Sequence, residues 1–138
     1  MVVTKTIRLS AVGYCDIHNI TGEVGDCVRS SGISSGTVTV FTSSSTSALT
    51  TLEYEPGLKK DLPEFLEGII PSNVSYNHDQ TWHDGNGFSH LRAALIGPDI
   101  TVPFVSGKLL LGTWQQIVFV DFDNKSRSRE LIVQIVGD

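Results

Sequence analysis

The sequence is poor in cysteine, which excludes the common thiol-based metal and redox centres. Only Cys15 and Cys27 occur in 138 residues, and they have neither zinc-knuckle spacing nor the C-x-x-C spacing of a redox site. We therefore expect two buried, reduced thiols, with one disulfide between them as the alternative.

Long apolar runs and an excess of basic residues are also missing. No run approaches the roughly 18 apolar residues of a membrane span, and no basic, apolar leader follows Met1. The formal net charge of −5 argues against a nucleic-acid binder, because such proteins gain affinity by neutralising phosphates with lysine and arginine. We expect a soluble, cytoplasmic protein with no nucleic-acid and no membrane partner.

Two motif classes are absent as well. The sequence contains no Walker sequence, no G-x-G-x-x-G and no G-x-S-x-G, so it gives no support to nucleotide-binding or serine-hydrolase chemistry.

The apolar patterns that are present predict a single α+β domain over residues 1–138. Helical spacing covers Asn19 to Ser31 and Pro56 to Ile70, and a shorter helical run covers His90 to Ile96. Alternating or β-branched segments predict strands of a largely antiparallel sheet. These segments are Thr4–Ala11, Thr37–Phe41, Ala48–Glu53, Ile100–Val105, Lys108–Asp121 and Glu130–Val136.

One predicted strand is apolar on both of its faces. Ile117 to Phe122 has no polar residue on either face until Asp121. Such a strand is covered on both sides, by helix, by the far wall of a barrel or by another subunit.

Histidines and carboxylates crowd the polar segment from His78 to Arg92. Neutral imidazole and carboxylate oxygen bind zinc and similar ions, so we interpret His78, His90 and Glu53 as ligands of a divalent metal, zinc or magnesium. His83 and Glu55 are alternative third ligands. The competing interpretation is that the histidines donate hydrogen bonds to loop carbonyls.

Other polar residues suggest substrate contacts. Arg92 is a candidate clamp for phosphate, with a surface ion pair as the alternative. Trp114 and Gln115 are candidates for stacking on a flat ring and reading its edge, although Trp114 taken alone is typical of a core residue. Ser45 and Thr46, in the serine-rich loop of residues 43–47, offer hydroxyls and N–H groups for phosphate.

Several ordered motifs resemble the YjbQ family, also labelled secondary thiamine-phosphate synthase. They include S-T-S-A-L-T-T-L-E-Y-E-P-G-L at Ser45–Leu58, Y-N-H-D at Tyr76–Asp79, D-G-N-G-F-S-H-L-R-A at Asp84–Ala93 and G-T-W-Q-Q-I-V-F-V-D-F-D at Gly112–Asp123. The resemblance implies a mixed sheet closing into a barrel-like core, a homotrimer and a weak thiamine-phosphate-forming activity. Phe88 stands where relatives often have histidine, and Asp99 where they often have serine.

These observations lead to three functional hypotheses. The first is a trimeric enzyme that joins a pyrimidine diphosphate to a thiazole phosphate, with Glu53, His78, His90 and Arg92 as catalytic residues around a metal. The second keeps the same site for metal-dependent hydrolysis or another small phosphorylated substrate. The third is a non-catalytic metal- or ligand-binding trimer whose histidines are structural.

Overall fold

A computed structural model describes residues 1–138 as an α+β fold with twelve elements, which confirms the predicted fold class. Its four helices accompany eight strands. The elements are β1 (Val2–Ala11), β2 (Asp16–Asn19), α1 (Thr21–Ser30), β3 (Gly36–Thr42), β4 (Ser47–Leu52), α2 (Pro56–Ile69), α3 (Asn77–Trp82), α4 (Gly87–Ile96), β5 (Asp99–Val105), β6 (Lys108–Leu109), β7 (Gln116–Asp121) and β8 (Arg127–Gly137).

The strands form two antiparallel sheets. The larger sheet has the order β1-β8-β3-β5-β6, and the smaller has the order β2-β7-β4. In the larger sheet the alternation of apolar and polar residues places one face inward, where β8 buries Leu131, Val133 and Ile135. One of the sheets curls into a half-barrel, in agreement with the expected barrel-like core.

Strand β7 separates two apolar clusters and is covered on both faces within one subunit. Ile117 and Phe119 belong to the main core with α1 and the larger sheet. Val118 and Val120 face a second cluster that includes Leu66 of α2 and Ala93 of α4. The doubly apolar strand is therefore satisfied by the chain itself and needs no other subunit to cover it.

The main helices begin and end near the predicted residues for identifiable reasons. Glu55 caps α2, because its carboxylate accepts the backbone N–H groups of Gly57 and Leu58 at 2.8 and 2.5 Å. Pro56 follows at the first helical position, where its missing N–H costs nothing. Gly32 lies two residues after the end of α1 and has a φ of +77°, the left-handed conformation that the sequence predicts for it.

Two short elements were not predicted, and three predicted boundaries were wrong, among them the start of β8, which is Arg127 rather than Glu130. Strand β2 and helix α3 have four and six residues, too few for a clear apolar period. Helix α4 begins at Gly87 rather than His90. The predicted strand Lys108–Asp121 is interrupted after Leu109, because Gln115 closes a turn by accepting the N–H of Gly112 through its side chain at 3.1 Å.

No helix of this structure combines the length and the apolar character that a membrane crossing requires.

Candidate functional site

Two of the predicted histidines lie together where α3 and α4 meet. The rings of His78, in α3, and His90, in α4, have centroids 4.3 Å apart and are tilted by 39°. They are twelve positions apart in sequence, and the turn between the two short helices brings them into contact. The structure thus brings the two predicted imidazoles into contact.

Asp79 and Gly87 hold the two helices in this arrangement. The carboxylate of Asp79 accepts the N–H of Tyr76 at the start of α3 and the N–H of Gly87 at the start of α4, both at 2.9 Å. These two hydrogen bonds lower the pKa of Asp79 below its usual value. A Cβ on Gly87 would lie 2.8 Å from the Cβ of Tyr76, so the absence of a side chain permits this close approach.

His78 points one nitrogen at two carboxylates without bonding to either. Its Nδ1 is buried, has no hydrogen-bond partner, and lies 3.8 Å from Oδ1 of Asp79 and 3.6 Å from Oδ1 of Asp84. These separations exceed hydrogen-bond length. Ligand atoms that each bind zinc at about 2.0–2.2 Å are commonly this far apart, so the three groups have spacing compatible with one shared cation.

The surroundings of His90 favour its neutral form. Partial burial, followed by the proximity of His78, lowers the pKa of His90 below its usual value. A neutral imidazole can accept a proton or bind a metal ion, and both uses need the free nitrogen lone pair.

A cleft of about 370 Å³ lies directly beside His90. Its wall is the serine-rich loop before β4, and its floor is α4. The lining residues include Ser44, Ser45, Ser47, His90, Ala93 and Pro98. Ser45 is therefore in contact with the same cleft as His90, which places two of the predicted site residues on one surface.

A buried charged network supports this loop from behind. Asp121 is fully buried, and Arg129 binds it through Nε at 2.7 Å and Nη2 at 3.1 Å. Thr46 joins the network by donating to Asp123 at 2.9 Å and accepting from Arg129 at 3.0 Å. The hydroxyl of Thr46 is thus engaged by the protein and does not line the cleft.

Glu53 and Glu55 do not reach the histidines within one subunit. In the β4–β7 pair, Ser47 lies opposite Asp121 and Leu52 lies opposite Gln116. Six strand residues span roughly 17–20 Å, so Glu53, which follows Leu52, lies at the opposite end of β4 from the cleft. Glu55 is the cap of α2. The predicted third metal ligand is corrected accordingly: the carboxylates beside His78 are Asp79 and Asp84.

Arg92 is engaged inside the protein rather than facing the cleft. Its side chain is 3% exposed and pairs with Glu67 at 2.8 Å. Its Nε and Nη2 also donate to the carbonyl of Ile70 at 3.1 and 2.8 Å. Within one subunit Arg92 therefore ties α4 to the end of α2, and the geometry gives no support to its predicted role as a phosphate clamp.

The predicted ring-binding residues lie at the far end of the smaller sheet. Trp114 is 71% exposed, which excludes the interpretation of its indole as a core residue. Gln115 donates to Thr51 at 3.2 Å, near the end of β4 that is distant from the cleft. His83 is exposed and follows α3 in a left-handed conformation with a φ of 57°.

The two departures from the family pattern have different settings. Phe88 is buried, with the guanidinium of Arg92 5.0 Å from its ring centroid and the ring of Tyr14 stacked at 5.8 Å. It fills the protein interior, so an imidazole at this position would not join the His78–His90 pair without rearrangement. Asp99 is exposed at the start of β5.

Asp123 should make the fold sensitive to acid. Burial acts to raise the pKa of Asp123, but hydrogen bonds from Thr46 and Arg127 and the charge of Arg127 outweigh it, and the pKa lies below its usual value. A lowered pKa stabilises the fold above the ordinary aspartate value of about 3.9, and this stabilisation is lost as the pH falls towards the folded-state value.

We expect Asp123→Asn to be less stable than the wild type at neutral pH and to lose less further stability in acid. Thermal unfolding followed by circular dichroism between about pH 5 and pH 2.5 would measure this. The exposed Asp61→Asn is the matched control and should follow the wild type. An acid loss in Asp123→Asn equal to that of the wild type would contradict the prediction.

Sequence reasoning missed the carboxylates that matter most. Asp84 begins the D-G-N-G-F-S-H-L-R-A segment, but the sequence does not predict it as a ligand, because helix α3, which precedes it and brings it to His78, has too few residues to predict. Asp121 and Asp123 carry a recognisable signal, since Asp121 ends a buried strand and Asp123 follows two residues later. Their arginine partner is six to eight residues away on β8, which belongs to the other sheet, and only the turn between β7 and β8 brings it back to the two aspartates.

Comparison with known proteins places the chain among relatives that span its full length. The family model described as "UPF0047 protein YjbQ-like" matches residues 5–138. A UPF0047 protein of Archaeoglobus fulgidus is 44% identical over 128 residues, covering 93% of this chain and 97% of the relative. Another, from Methanothermobacter thermautotrophicus, is 39% identical and covers 99% and 93%.

Solved structures agree with this assignment. A crystal structure described as a YbjQ-like protein of unknown function, from Sulfolobus solfataricus, is 31% identical, superposes with a TM-score of 0.93 and covers 100% of this chain and 99% of that one. A hypothetical protein from Aeropyrum pernix is 29% identical, with a TM-score of 0.91 and 99% coverage of both chains. The full-length match of sequence and fold shows that the chain belongs to the YjbQ (UPF0047) family.

Proposed function

We propose that the protein is a small-molecule enzyme whose active site is the cleft beside His90, and that it acts on a phosphorylated substrate with the help of a divalent metal. The observation that carries this proposal is the contact between His78 and His90, with carboxylates on one side of the pair and the cleft on the other. Titratable groups gathered at the rim of a cleft are typical of active sites.

The residues beside His78 fit a metal ion. The Nδ1 of His78 is a buried acceptor or donor without a partner, and Asp84 and Asp79 present oxygens at comparable distances. A set of one or two imidazoles with carboxylates suits zinc better than magnesium, which prefers oxygen ligands alone. A bound divalent cation would neutralise the negative charge of a phosphorylated group.

The first reaction to test is thiamine-phosphate synthase-type transfer. In it, a new bond joins the pyrimidine to the thiazole phosphate, and pyrophosphate departs with the electron pair of the bond that breaks. Neutral His90 can accept or donate a hydrogen bond at the cleft, and Ser45 can donate one to a phosphate oxygen. Hydrolysis of a phosphorylated substrate would use the same groups, with water as the acceptor.

Metal analysis followed by product analysis tests this proposal. Untagged protein would be analysed for metal after incubation with zinc, magnesium or manganese, then assayed with a pyrimidine diphosphate, with and without thiazole phosphate. Thiamine phosphate as product supports transfer, whereas hydrolysis products that form without thiazole phosphate support hydrolysis. Protein that binds no metal and turns over neither substrate favours a non-catalytic role and contradicts the proposal.

We also propose that the protein is a cytoplasmic homotrimer whose subunits associate through the outer face of the larger sheet. Across four strands this face has no charged residue in its centre, and charges occur only at its ends. Phe41, Ile132, Val136 and Val2 are between 38% and 58% exposed there. The remaining central positions are Thr4, Thr6, Thr37, Thr39, Thr101, Pro103 and Gln134. An uncharged, partly apolar face of this kind is typical of contacts between copies.

We expect Gln134→Arg to dissociate the oligomer. Each of the three subunits would contribute one arginine, so three unpaired charges would lie at the centre of the contact. Light scattering coupled to size-exclusion chromatography would measure the mass. The matched control is Gln80→Arg, the same substitution on the exposed side of α3. A wild-type protein with the mass of a monomer, or a Gln134→Arg protein that keeps the mass of a trimer, would contradict the proposed interface.

A further inference from the structure

In the serine-rich loop, buried charged residues determine which hydroxyl groups donate a hydrogen bond and which accept one. Thr46 Oγ1 lies 2.9 Å from Oδ2 of Asp123 and 3.0 Å from Nη2 of Arg129. Both threonine and aspartate side chains are nearly excluded from solvent, with Asp123 3% exposed. Threonine therefore satisfies two charged groups of opposite hydrogen-bonding character at once.

The chemistry of these groups determines which atom donates. An arginine can only donate, and an ionised aspartate can only accept. Thr46 must accept from Arg129 and must give its single proton to Asp123. One lone pair of Thr46 Oγ1 is left, and the neighbouring atom is Ser44 Oγ at 3.2 Å. Ser44 therefore donates its own proton to Thr46.

Ser44 is left with one hydrogen-bonding position, and that position is an acceptor. A hydroxyl has one proton and two lone pairs. The proton goes to Thr46, and one lone pair accepts the backbone N–H of Thr46 at 3.1 Å. Ser44 is only partly buried and lines the same cleft as His90. As long as Ser44 keeps its hydrogen bond to Thr46, a ligand atom that bonds to Ser44 from the cleft must carry a proton.

We propose that Ser44 selects ligands that present an N–H or O–H group, such as an amino, amide or hydroxyl group, at the serine wall of the cleft. Thr46 and Asp123 are positioning residues that set the polarity of Ser44 without touching the ligand. This inference rests on the proposed small-molecule function of the cleft. The inference also gives the serines of the loop different roles. An ionised phosphate oxygen has no proton to donate to Ser44, so it must be bound elsewhere, for example by Ser45.

A matched pair of ring compounds tests the selection. We would titrate the protein with 4-aminopyrimidine and with 4-methylpyrimidine, which are similar in size, and follow the amide and methyl signals of cleft residues by NMR. Only the first carries an exocyclic N–H donor. One hydrogen bond corresponds to a preference of about threefold to tenfold for the amino compound. Ser44→Ala should remove this preference, whereas Ser43→Ala, at an exposed position outside the cleft, should keep it.

Two substitutions of Thr46 separate positioning from packing. Thr46→Ser keeps the hydroxyl and should keep the preference for the amino compound. Thr46→Val keeps the shape, removes the hydroxyl and should bring the ratio of the two affinities close to one. Thr46→Val also deprives two buried charges of a partner and can destabilise the fold. The affinities are therefore compared well below the melting temperature of Thr46→Val. If Thr46→Val does not fold, Thr46→Ser alone is compared with the wild type.

Neutron diffraction on deuterium-exchanged crystals determines the polarity without any ligand. We expect the deuterium of Thr46 to point at Asp123 and that of Ser44 to point at Thr46. A deuterium on Ser44 directed into the cleft, or equal binding of the two probes by the wild type, overturns the inference and leaves the proposed function standing. Correct polarity with no binding of either probe instead contradicts the use of the cleft for such ligands, and the inference fails together with the proposed function.

Discussion

If the proposed function is correct, replacing His78 with alanine is expected to abolish the binding of a divalent metal and to reduce turnover at least about 100-fold. Loss of groups that only support a metal ligand already costs about 10–100-fold, and His78 is the residue whose Nδ1 faces both Asp79 and Asp84. Elemental analysis of the purified variant, followed by assays at saturating metal, would measure both effects. The fold should persist, because His78 lies in a short helix at the surface of the core.

Two further histidine variants make this result specific. His83→Asn is the control, since His83 is exposed, and asparagine tolerates the left-handed conformation found there. It should keep its metal and its activity. His90→Ala should retain part of the metal affinity yet lose turnover, because His90 lines the cleft. If His78→Ala and His90→Ala lower only the melting temperature, while the wild type has neither metal nor turnover to lose, the histidines are structural.

Replacing Arg129 with methionine is expected to destabilise the protein by about 3–5 kcal/mol, because it leaves a buried charge without its partner. Asp121 is completely buried, and Arg129 supplies two of its hydrogen bonds. For a chain of this size the loss corresponds to a melting temperature lower by roughly 10–20 °C. Urea unfolding and thermal unfolding would both measure it.

Arg8→Met is the matched control for that experiment. Arg8 also forms an ion pair with strand β8, at 2.9 Å from Glu130, but the two side chains are 75% and 65% exposed. Exposed pairs of this kind contribute about 0–1 kcal/mol, so Arg8→Met should unfold close to the wild type. Equal destabilisation by the two substitutions would show that burial does not determine the importance of Arg129.

The consequences of Arg129→Met should extend to the cleft. Arg129 donates to Thr46, whose neighbours Ser45 and Ser47 line the wall opposite α4. Stability and ligand binding are therefore expected to fall together in this variant, whereas Ser44→Ala should affect binding alone.

Long, regular patterns allowed much of the fold to be predicted from the sequence. Helix α2 was predicted within one residue at each end, because five apolar residues share one face and prolines mark its limits. Strand β1 follows from its period of two, and β3 and β8 follow from their content of residues that favour strands. The short elements β2 and α3 could not be predicted in the same way, since one turn of helix or four strand residues provide too few positions for a period to appear.

Residue types likewise indicated part of the site. His78, His90 and Ser45 were selected as polar residues with binding chemistry; His90 and Ser45 line one cleft, and His78 contacts the ring of His90. Glu53, Trp114 and Gln115 were selected for equally sound chemical reasons, but they lie at the other end of β4 and β7. Position along the chain does not show which end of a strand a residue shares with another element, and the antiparallel pairing decides it.

By itself, then, the sequence determined the family, the α+β class and the presence of a histidine-rich segment, because each depends on residue order or on local periodicity. Only the tertiary structure decided that Asp84 rather than Glu53 accompanies His78, that Arg92 is bound inside the protein, and that Asp123 directs the hydroxyl of Thr46. These choices depend on distances that the turn between α3 and α4, the packing of the helices and the arrangement of the two sheets establish, and no local pattern in the sequence records them.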